Sequence, residues 1–285
     1  MSVDLHTHTT FSDGTLTPEQ LIEKADYQRL TAVAITDHDE IGALKYLNTL
    51  NSDKNVIVVN GAEFSIDVDL KGNAHLHMLG LFLDIENDEL NNVLIKLKNA
   101  RRERAYTIIQ KLKEQGIPIT KQEIDDVIGL GSAGRPHIAR LLIQKKIVSN
   151  VWEAFSKYLS KGKPAYVSKQ KLPLKDAIKL IHDAHGLAIL AHPISLKHRR
   201  YKDTDVFLRE LKYIGLDGVE AYYATHSPKF TKFLKESAAR YSLLVSGGSD
   251  FHGKVKPDTE LGIGKGNLDV PDDIYFSLKE AAQHK

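Results

Sequence analysis

Short apolar runs alternate with helix-forming segments along much of this chain, and that alternation restricts its fold more than any other feature. The runs at 32–36 and 56–59 are short and apolar, as in strands that are buried on both faces of a parallel sheet. Before the first of them, Thr17, Pro18 and Gln20 form the N-cap, first-turn proline and capping-box pattern of a helix. Similar runs follow later in the chain, at 76–83, 187–193, 218–222 and 243–246. Strands that alternate with helices predict an α/β fold with a parallel sheet.

The apolar spacing becomes helical from about residue 90, with Leu90, Leu94 and Leu97 on one face. Thr120 with Glu123 forms a second capping box, and strand signals are few up to about residue 165. We therefore expect two segments, 1–90 and 165–285, to form the α/β body, with a helical insertion at 90–165. Two boundaries are also expected in the body: a strand that ends at Glu63, and a helix at 175–185 with Gly186 as its C-cap.

Composition excludes several classes of protein. The 285 residues suit one domain with a sub-domain, and a net charge of +2 argues against a chain that coats nucleic acid or a membrane. The absence of cysteine excludes disulfides, thiolate metal sites and a cysteine nucleophile. The N-terminus lacks a secretory signal pattern, and no apolar run is long enough to span a bilayer. We expect a cytoplasmic protein.

Histidines and carboxylates follow the predicted strands at the points where the strands end. In parallel barrels these ends meet at one rim, so residues far apart in sequence converge there. Two pairs are spaced i, i+2, which directs both side chains of each pair the same way in extended backbone. The residues at the strand ends are His6 and His8, Asp37 and His38, Glu63, His192, and Asp250 and His252.

The ligand chemistry indicates divalent metal ions. Imidazole and carboxylate without sulfur suit Mn, Fe or Zn, whereas Ca²⁺ prefers oxygen alone. The candidates are too many for one ion, so we expect a cluster of two or three divalent metal ions, with Mn favoured. Closely spaced metals bridged by hydroxide are suited to the hydrolysis of phosphate esters.

The motif series resembles that of the polymerase and histidinol phosphatase (PHP) superfamily. The motifs are HxH at the N-terminus, TDHD at 36–39, GxE at 61–63, HxLG at 77–80, AHP at 191–193 and SDxH at 249–252. The insertion's GRPH at 134–137 and the later KPAYV at 163–167 resemble the subgroup of 3′,5′-nucleoside bisphosphate phosphatases and 5′→3′ exoribonucleases that act on short RNA. The resemblance implies a distorted (β/α)7 barrel, a trinuclear metal site, and an insertion that contributes to substrate binding.

The resemblance also implies which residues bind each metal. One ion would be bound by His6, His8, Glu63 and Asp250, and a second by Asp13, His38 and His252. Glu63 would bridge to a third ion, which His77 and His192 also bind. His75 shares a strand face with His77, so spacing alone does not choose between them; the resemblance favours His77 because Met78, Leu79 and Gly80 follow it.

Candidate substrate-binding residues are less sharply defined. Arg135 and His137 lie near a predicted helix N-terminus, where a phosphate could bind, although Arg135 could instead pair with Glu123. Lys163 and Arg199 are weaker candidates, and His226 follows a strand end where it could meet substrate or solvent. The remaining groups have structural interpretations: the run 101–104 is expected to be a charged helix face, and His182 and His185 are expected to favour a helix C-terminus.

The sequence therefore predicts a metal-dependent phosphoesterase that acts on nucleotides such as pAp, on short 5′-phosphorylated RNA, or on both. No membrane and no obligatory protein partner are inferred. Three alternatives remain: a histidinol-phosphate phosphatase, an amidohydrolase-type C–N hydrolase, and a non-catalytic nucleotide-binding accessory module. The long insertion disfavours the first, TDHD and SDFH fit the second poorly, and the complete ligand set disfavours the third. Metal identity, preference for mononucleotides or oligonucleotides, and oligomeric state stay open.

Overall fold

Strands and helices alternate through the body of the protein in a computed structural model, which describes residues 2–50, 55–70, 72 and 74–285. The strands are β1 (Val3–Thr7), β2 (Ala32–Ile35), β3 (Ile57–Asp67), β4 (Leu76–Leu81), β5 (Leu172–Pro173), β6 (Leu187–Leu190), β7 (Gly218–Tyr223) and β8 (Leu244–Gly248). The helices are α1 (Pro18–Tyr27), α2 (Gly42–Asn48), α3 (Asp88–Lys113), α4 (Lys121–Ile128), α5 (Arg135–Gln144), α6 (Val151–Ala154), α7 (Leu174–Asp183), α8 (Tyr201–Tyr213), α9 (Pro228–Arg240) and α10 (Asp272–Ala282).

The main sheet has the order β1-β2-β3-β4-β6-β7-β8, and β5 pairs with the end of β3. The sheet curls until β8 meets β1, where the Asp250 N–H donates to the His6 carbonyl and the His8 N–H donates to the Phe251 carbonyl, both at 2.9 Å. The result is a nearly closed barrel. The expected α/β barrel is confirmed.

One strand runs against the others. β4 is antiparallel to both of its neighbours, β3 and β6, whereas the remaining neighbours along the main path are parallel. We call the rim at the C-terminal ends of the parallel strands the upper rim. Because β4 is reversed, its first residues, including His77, reach the upper rim and its last residues lie at the lower rim.

Two buried clusters belong to the barrel. Inside it, Leu5, Leu79 and Ile189 belong to one cluster with Tyr275 and Leu278 of α10. The second and larger cluster packs the body helices against the sheet. Among the described residues, no helix is both long and apolar enough to cross a membrane.

Helices α3 to α6 carry a separate apolar cluster that includes Ile108, Leu112, Ile124, Ile138 and Leu142. α3 begins near the lower rim, where the Asn87 side chain donates to the Asp183 carbonyl at the end of α7. Its later turns approach the upper rim, since Arg101 contacts Asp39 beyond β2. The capping box at Thr120 and Glu123 is present, as is the one at Thr17 and Gln20.

Two predicted boundaries are wrong. β3 does not end at Glu63 but continues to Asp67, because residues 61–66 pair with the reversed strand β4. α7 ends at Asp183 rather than at His185, and the residue with positive φ is His185 (φ 56°) rather than Gly186. A Cβ at Gly186 would lie 2.6 Å from Leu83, so close packing rather than a helix cap explains this glycine.

Candidate metal centre

Glu63 lies at the centre of the site, inside β3, and its carboxylate is surrounded by imidazoles. Oε1 is 2.6 Å from His77 Nδ1 and 2.9 Å from His192 Nε2. Oε2 is 2.9 Å from His38 Nδ1 and 3.3 Å from His8 Nε2. One carboxylate thus faces two separate groups of histidines, which is the arrangement of a ligand that bridges two metal ions.

His6 and His8 also share a second carboxylate, that of Asp250. His8 Nε2 is 3.3 Å from Asp250 Oδ1, and His6 Nε2 is 3.7 Å from the same oxygen. His6 Nε2 is also 3.4 Å from Glu63 Oε2. These four side chains come from β1, β3 and the end of β8, and the closing of the barrel brings them together.

Asp13 gathers the next group. Its Oδ1 is 3.2 Å from His252 Nε2 and 3.9 Å from His38 Nε2. His8, Asp13, His38 and His252 each offer one ligand atom, and these atoms all lie within 4.8 Å of one another. Four donors at this separation match the coordination number of a transition-metal ion.

The third group contains both histidines between which sequence spacing could not choose. His75, His77 and His192 have ligand atoms within 4.8 Å of one another. His77 contacts Glu63 directly, whereas the ring centroid of the exposed His75 lies 4.9 Å from that of His77. The direct contact with Glu63 favours His77 over His75 as a member of the site.

The nitrogen and oxygen atoms at the centre are close together without being well hydrogen-bonded. His6 Nε2, His8 Nε2, Asp13 Oδ1, His38 Nδ1 and Glu63 Oε2 are buried and have no hydrogen-bond partner within the described part of the chain. Buried polar atoms are nearly always paired in proteins, so five such atoms that face one space indicate a ligand that binds them all. The residues present therefore fit a cluster of divalent cations.

Electrostatics supports the same interpretation. Burial opposes ionisation of Glu63, but the neighbouring His38, His77 and His6 hold its pKa well below its usual range. Burial likewise disfavours charge on His8, yet Asp250 and Glu63 raise its pKa to about 9. Glu63 is thus ionised at neutral pH, as a carboxylate ligand must be, whereas His8 holds a proton that a bound cation would displace.

Several residues that sequence reasoning missed hold these side chains in place. Glu220 of β7 is fully buried; its Oε1 accepts from His6 Nδ1 at 3.0 Å and its Oε2 accepts from the His192 N–H at 2.6 Å. Tyr223 donates from its hydroxyl to Asp250 Oδ2 at 2.8 Å. A carboxylate that holds the second nitrogen of a histidine is common around metal sites and fixes which nitrogen faces the metal. An acidic residue inside an apolar strand, GVEAY, was the available signal for Glu220.

Three non-glycine residues at the site have positive φ: Asp39 (51°), His192 (27°) and Asp250 (57°). Such conformations are unfavourable for residues with a Cβ and persist where the surroundings enforce them. All three follow strand ends, where the chain turns sharply at the upper rim.

A cluster of positive side chains borders the centre on the side of α3 and α5; we call Arg101, Arg104, Arg135 and Lys169 the basic cluster. Arg101 donates from Nε to Asp39 Oδ2 at 2.8 Å, and Arg104 donates to the Val167 carbonyl at 2.8 Å. The expectation that 101–104 is a charged outer face is wrong for these two, which are 7% and 9% exposed. Arg101 turns inward because the buried carboxylate of Asp39 needs a partner.

The charges of the basic cluster repel one another. Burial and the proximity of Arg135 and Arg101 lower the pKa of Arg104 to about 10. Burial and Arg101 lower the pKa of the partly buried Lys169 to about 7, although Asp39 and Glu63 oppose this shift. Lys169 contacts Ser65, which follows Glu63 by two residues in β3. An anion bound here would relieve the repulsion.

The predicted substrate residues differ in their distance from this region. Arg135 lies over the rings of Phe155 and Tyr166 and donates to the Leu159 carbonyl; the alternative partner, Glu123, pairs with Lys145 instead.

His137 is buried and accepts from the Gly134 N–H, so it caps its own helix. His226 is buried beside Tyr223. Lys163 and Arg199 are exposed, and within the described ranges neither makes a hydrogen bond or ion pair with the centre. His182 pairs with Asp217, a structural role as expected.

Comparisons with known proteins agree with this geometry. The family model described as "PHP domain" matches residues 4–185. A 5′-3′ exoribonuclease of Haemophilus influenzae is 34% identical over 275 residues, which cover 95% of this chain and 96% of that protein. A 3′,5′-nucleoside bisphosphate phosphatase of Chromobacterium violaceum is 31% identical over 92% of this chain and 90% of its own length. A solved structure from Bifidobacterium adolescentis, provisionally described as a metal-dependent phosphoesterase, superposes with a TM-score of 0.83 at 29% identity and covers 97% of this chain and 94% of that chain.

Proposed function

Because the chain belongs to the PHP domain family, we propose that it is a metal-dependent phosphoesterase that hydrolyses nucleoside bisphosphates or short 5′-phosphorylated RNA. The observation that carries this proposal is the convergence of eight candidate metal-ligand side chains around the Glu63 carboxylate. The named relatives add support, since one is an exoribonuclease and another a bisphosphate phosphatase.

Three sets of residues would bind the ions. His6, His8, Glu63 and Asp250 form the first set, Asp13, His38 and His252 the second, and Glu63, His77 and His192 the third. Divalent ions bound there would activate water and neutralise phosphate charge. Mn is the favoured ion, and Fe and Zn suit the same ligands.

The residues of this chain would position the substrate. We assign the basic cluster to a second phosphate, because within the described residues the only ion pair that these four cations form is that of Arg101 with Asp39. Guanidinium groups bind phosphate oxygens with directed hydrogen bonds. A substrate with two phosphates, one at the centre and one at the basic cluster, fits this arrangement better than a monophosphate. The insertion, which supplies Arg101, Arg104 and Arg135, would then contribute to substrate binding.

The decisive experiment is phosphate release from pAp, 5′-phosphorylated short RNA and histidinol phosphate, with Mn²⁺ added and after chelation. We expect metal-dependent turnover of pAp or RNA and poor turnover of histidinol phosphate. A preference for histidinol phosphate would favour the rival phosphatase instead.

Two variants test the ligand assignment. Asp13→Asn and His192→Ala should each abolish turnover and lower the number of bound Mn²⁺ ions, while the circular dichroism spectrum stays that of the parent. Full turnover by either purified variant contradicts the assignment.

A third variant tests the basic cluster. Arg135→Ala should raise KM for pAp by about tenfold and leave KM for nitrophenyl phosphate within about twofold, since a charge-assisted hydrogen bond contributes about 1.5–3 kcal/mol. Arg209→Ala, at an exposed arginine of α8 that is not a candidate for substrate binding, is the matched control. Equal effects of Arg135→Ala on both substrates would remove Arg135 from recognition of the second phosphate.

A further inference from the structure

A cavity of about 670 Å³ opens beside the end of β7, between α9 and the segment 267–269. Tyr222, Tyr223, Pro228 and Leu268 provide its apolar walls. We call it the β7 cavity. Its volume lies within the range of pockets that bind small molecules or single nucleotides.

Tyr223 joins the β7 cavity to the metal centre. Its ring lines the cavity, while its hydroxyl donates to Asp250 and its ring centroid lies 5.4 Å from that of His192. A ligand that fills the cavity would therefore lie one side chain away from the proposed ions.

The β7 cavity and the basic cluster lie on opposite sides of the centre. The basic cluster borders β3, through Ser65 and the neighbouring Asp39. In the barrel, β4 and β6 separate β3 from β7 on one side, and β8, β1 and β2 separate them on the other. A chain that begins at the basic cluster and passes over the centre would continue towards β7.

The walls of the β7 cavity suit a nucleoside better than a bare phosphate. Lys232 and Lys235 contribute positive charge, but Glu236 and Asp269 offset it. Lys235 donates to the Tyr222 hydroxyl at 2.8 Å and lies over the same ring. Aromatic and apolar walls bind bases through their faces, with little dependence on sequence.

We propose that the β7 cavity binds the nucleotide that follows the scissile phosphate of an RNA chain, an inference that rests on the proposed function. The first nucleotide would place its 5′-phosphate at the basic cluster. Water would add to the next phosphorus and the P–O3′ bond would break, so that the 3′-oxygen of the first nucleotide takes up a proton. The phosphate then stays on the second nucleotide, in the β7 cavity. A nucleoside bisphosphate has no second nucleotide and leaves the cavity empty.

The test fills the cavity from an exposed position. Ala239 lines the cavity near the end of α9 and is exposed, so Ala239→Trp adds bulk without disturbing the core. Lys229→Trp, at an exposed residue of the same helix that does not line the cavity, is the matched control. KM and kcat are measured with Mn²⁺ for a 5′-phosphorylated RNA tetramer and for pAp, and thermal melting checks the fold.

We expect Ala239→Trp to raise KM for the RNA at least about tenfold and to leave KM for pAp within about twofold, whereas Lys229→Trp changes neither. An unchanged KM for RNA, or equal changes for both substrates, overturns the inference. Wild-type turnover of pAp without cleavage of RNA also overturns it, while the proposed function stands. If the wild-type protein hydrolyses neither pAp nor the RNA, the proposed function is wrong as well.

Discussion

Glu220 offers the sharpest test of how the metal centre is held together. Its two carboxylate oxygens each accept a hydrogen bond, one from the His6 ring and one from the His192 backbone. In Glu220→Gln, one oxygen becomes an NH₂ group, so only one of these two donors keeps an acceptor. If the NH₂ faces His192, two N–H groups oppose each other. If it faces His6, Nδ1 must accept, and the ring proton moves to Nε2, the nitrogen that faces Glu63 and Asp250.

The expected loss follows from either arrangement. Changes to residues that orient metal ligands typically weaken metal binding by about 10- to 100-fold, which corresponds to about 1.4–2.8 kcal/mol. The variant should also be less stable, since a hydrogen bond to a charged group contributes about 1.5–3 kcal/mol to the free energy of unfolding. Both effects have the same origin, the missing acceptor at Glu220, because the residue is fully buried and shielded from bulk solvent.

The measurement is a competitive titration of Mn²⁺ or Zn²⁺ against a chromophoric chelator, with wild-type protein, Glu220→Gln and the exposed control Glu210→Gln. We expect Kd to rise at least tenfold in Glu220→Gln alone, and activity to recover at high metal concentration. An unchanged Kd in a folded Glu220→Gln protein would refute the reasoning that Glu220 orients His6.

Three further predictions concern other parts of the site. Phosphate binding favours the charged form of Lys169, whose pKa is about 7. Affinity for the second phosphate should therefore be highest below pH 7, and KM for pAp should rise by up to about tenfold per pH unit between pH 7 and 9. A flat profile would count against Lys169 as a phosphate ligand. Arg101→Met leaves the buried carboxylate of Asp39 without its ion-pair partner and should lower the free energy of unfolding, measured by urea titration, by about 3–5 kcal/mol. The double variant with Asp39→Asn should regain much of this stability. A loss below about 1 kcal/mol in Arg101→Met would contradict the pairing. Gly248→Ala places a Cβ 2.5 Å from both the backbone nitrogen and the Cβ of His6. This clash should lower the free energy of unfolding by about 1–3 kcal/mol and weaken metal binding. A variant with the wild-type melting temperature and the wild-type Kd for the metal would disprove the close approach.

The strand ends could be predicted from sequence because each is a local signal. A short apolar run followed by a histidine or an acid, as at His38 or His192, needs no knowledge of distant residues, and barrel geometry then brings the ends together. The direction of β4 could not be predicted this way, since the two-residue period of a strand is the same in both directions. The choice of His77 over His75 as a ligand at the upper rim therefore rested on the family resemblance alone.

Long-range pairs account for most of what the sequence did not reveal. Arg101 sits in a run of charges that suits a solvent-exposed helix face, and only its contact with Asp39, 62 residues earlier, turns it inward. Glu220 is similar: a lone carboxylate in an apolar strand has no local explanation, and its two partners lie 214 and 28 residues away. Side-chain identity sets what such residues can bind, whereas the assembled barrel decides which partner they meet.

The reversal of β4 also explains the length of α3. Since β4 ends at the lower rim, α3 begins at the end of the barrel that is far from the site. It must therefore extend along the barrel before its residues reach the upper rim. The 13 helical steps from Asp88 to Arg101 cover about 20 Å at 1.5 Å per residue. Removing one residue from this stretch would rotate the Arg101 guanidinium by about 100° around the helix axis, away from Asp39, whereas removing four would nearly restore its direction one turn lower. The first part of α3 therefore sets the height and the angle of Arg101 and Arg104, the two members of the basic cluster on this helix. Insertions or deletions there should be tolerated only in whole turns.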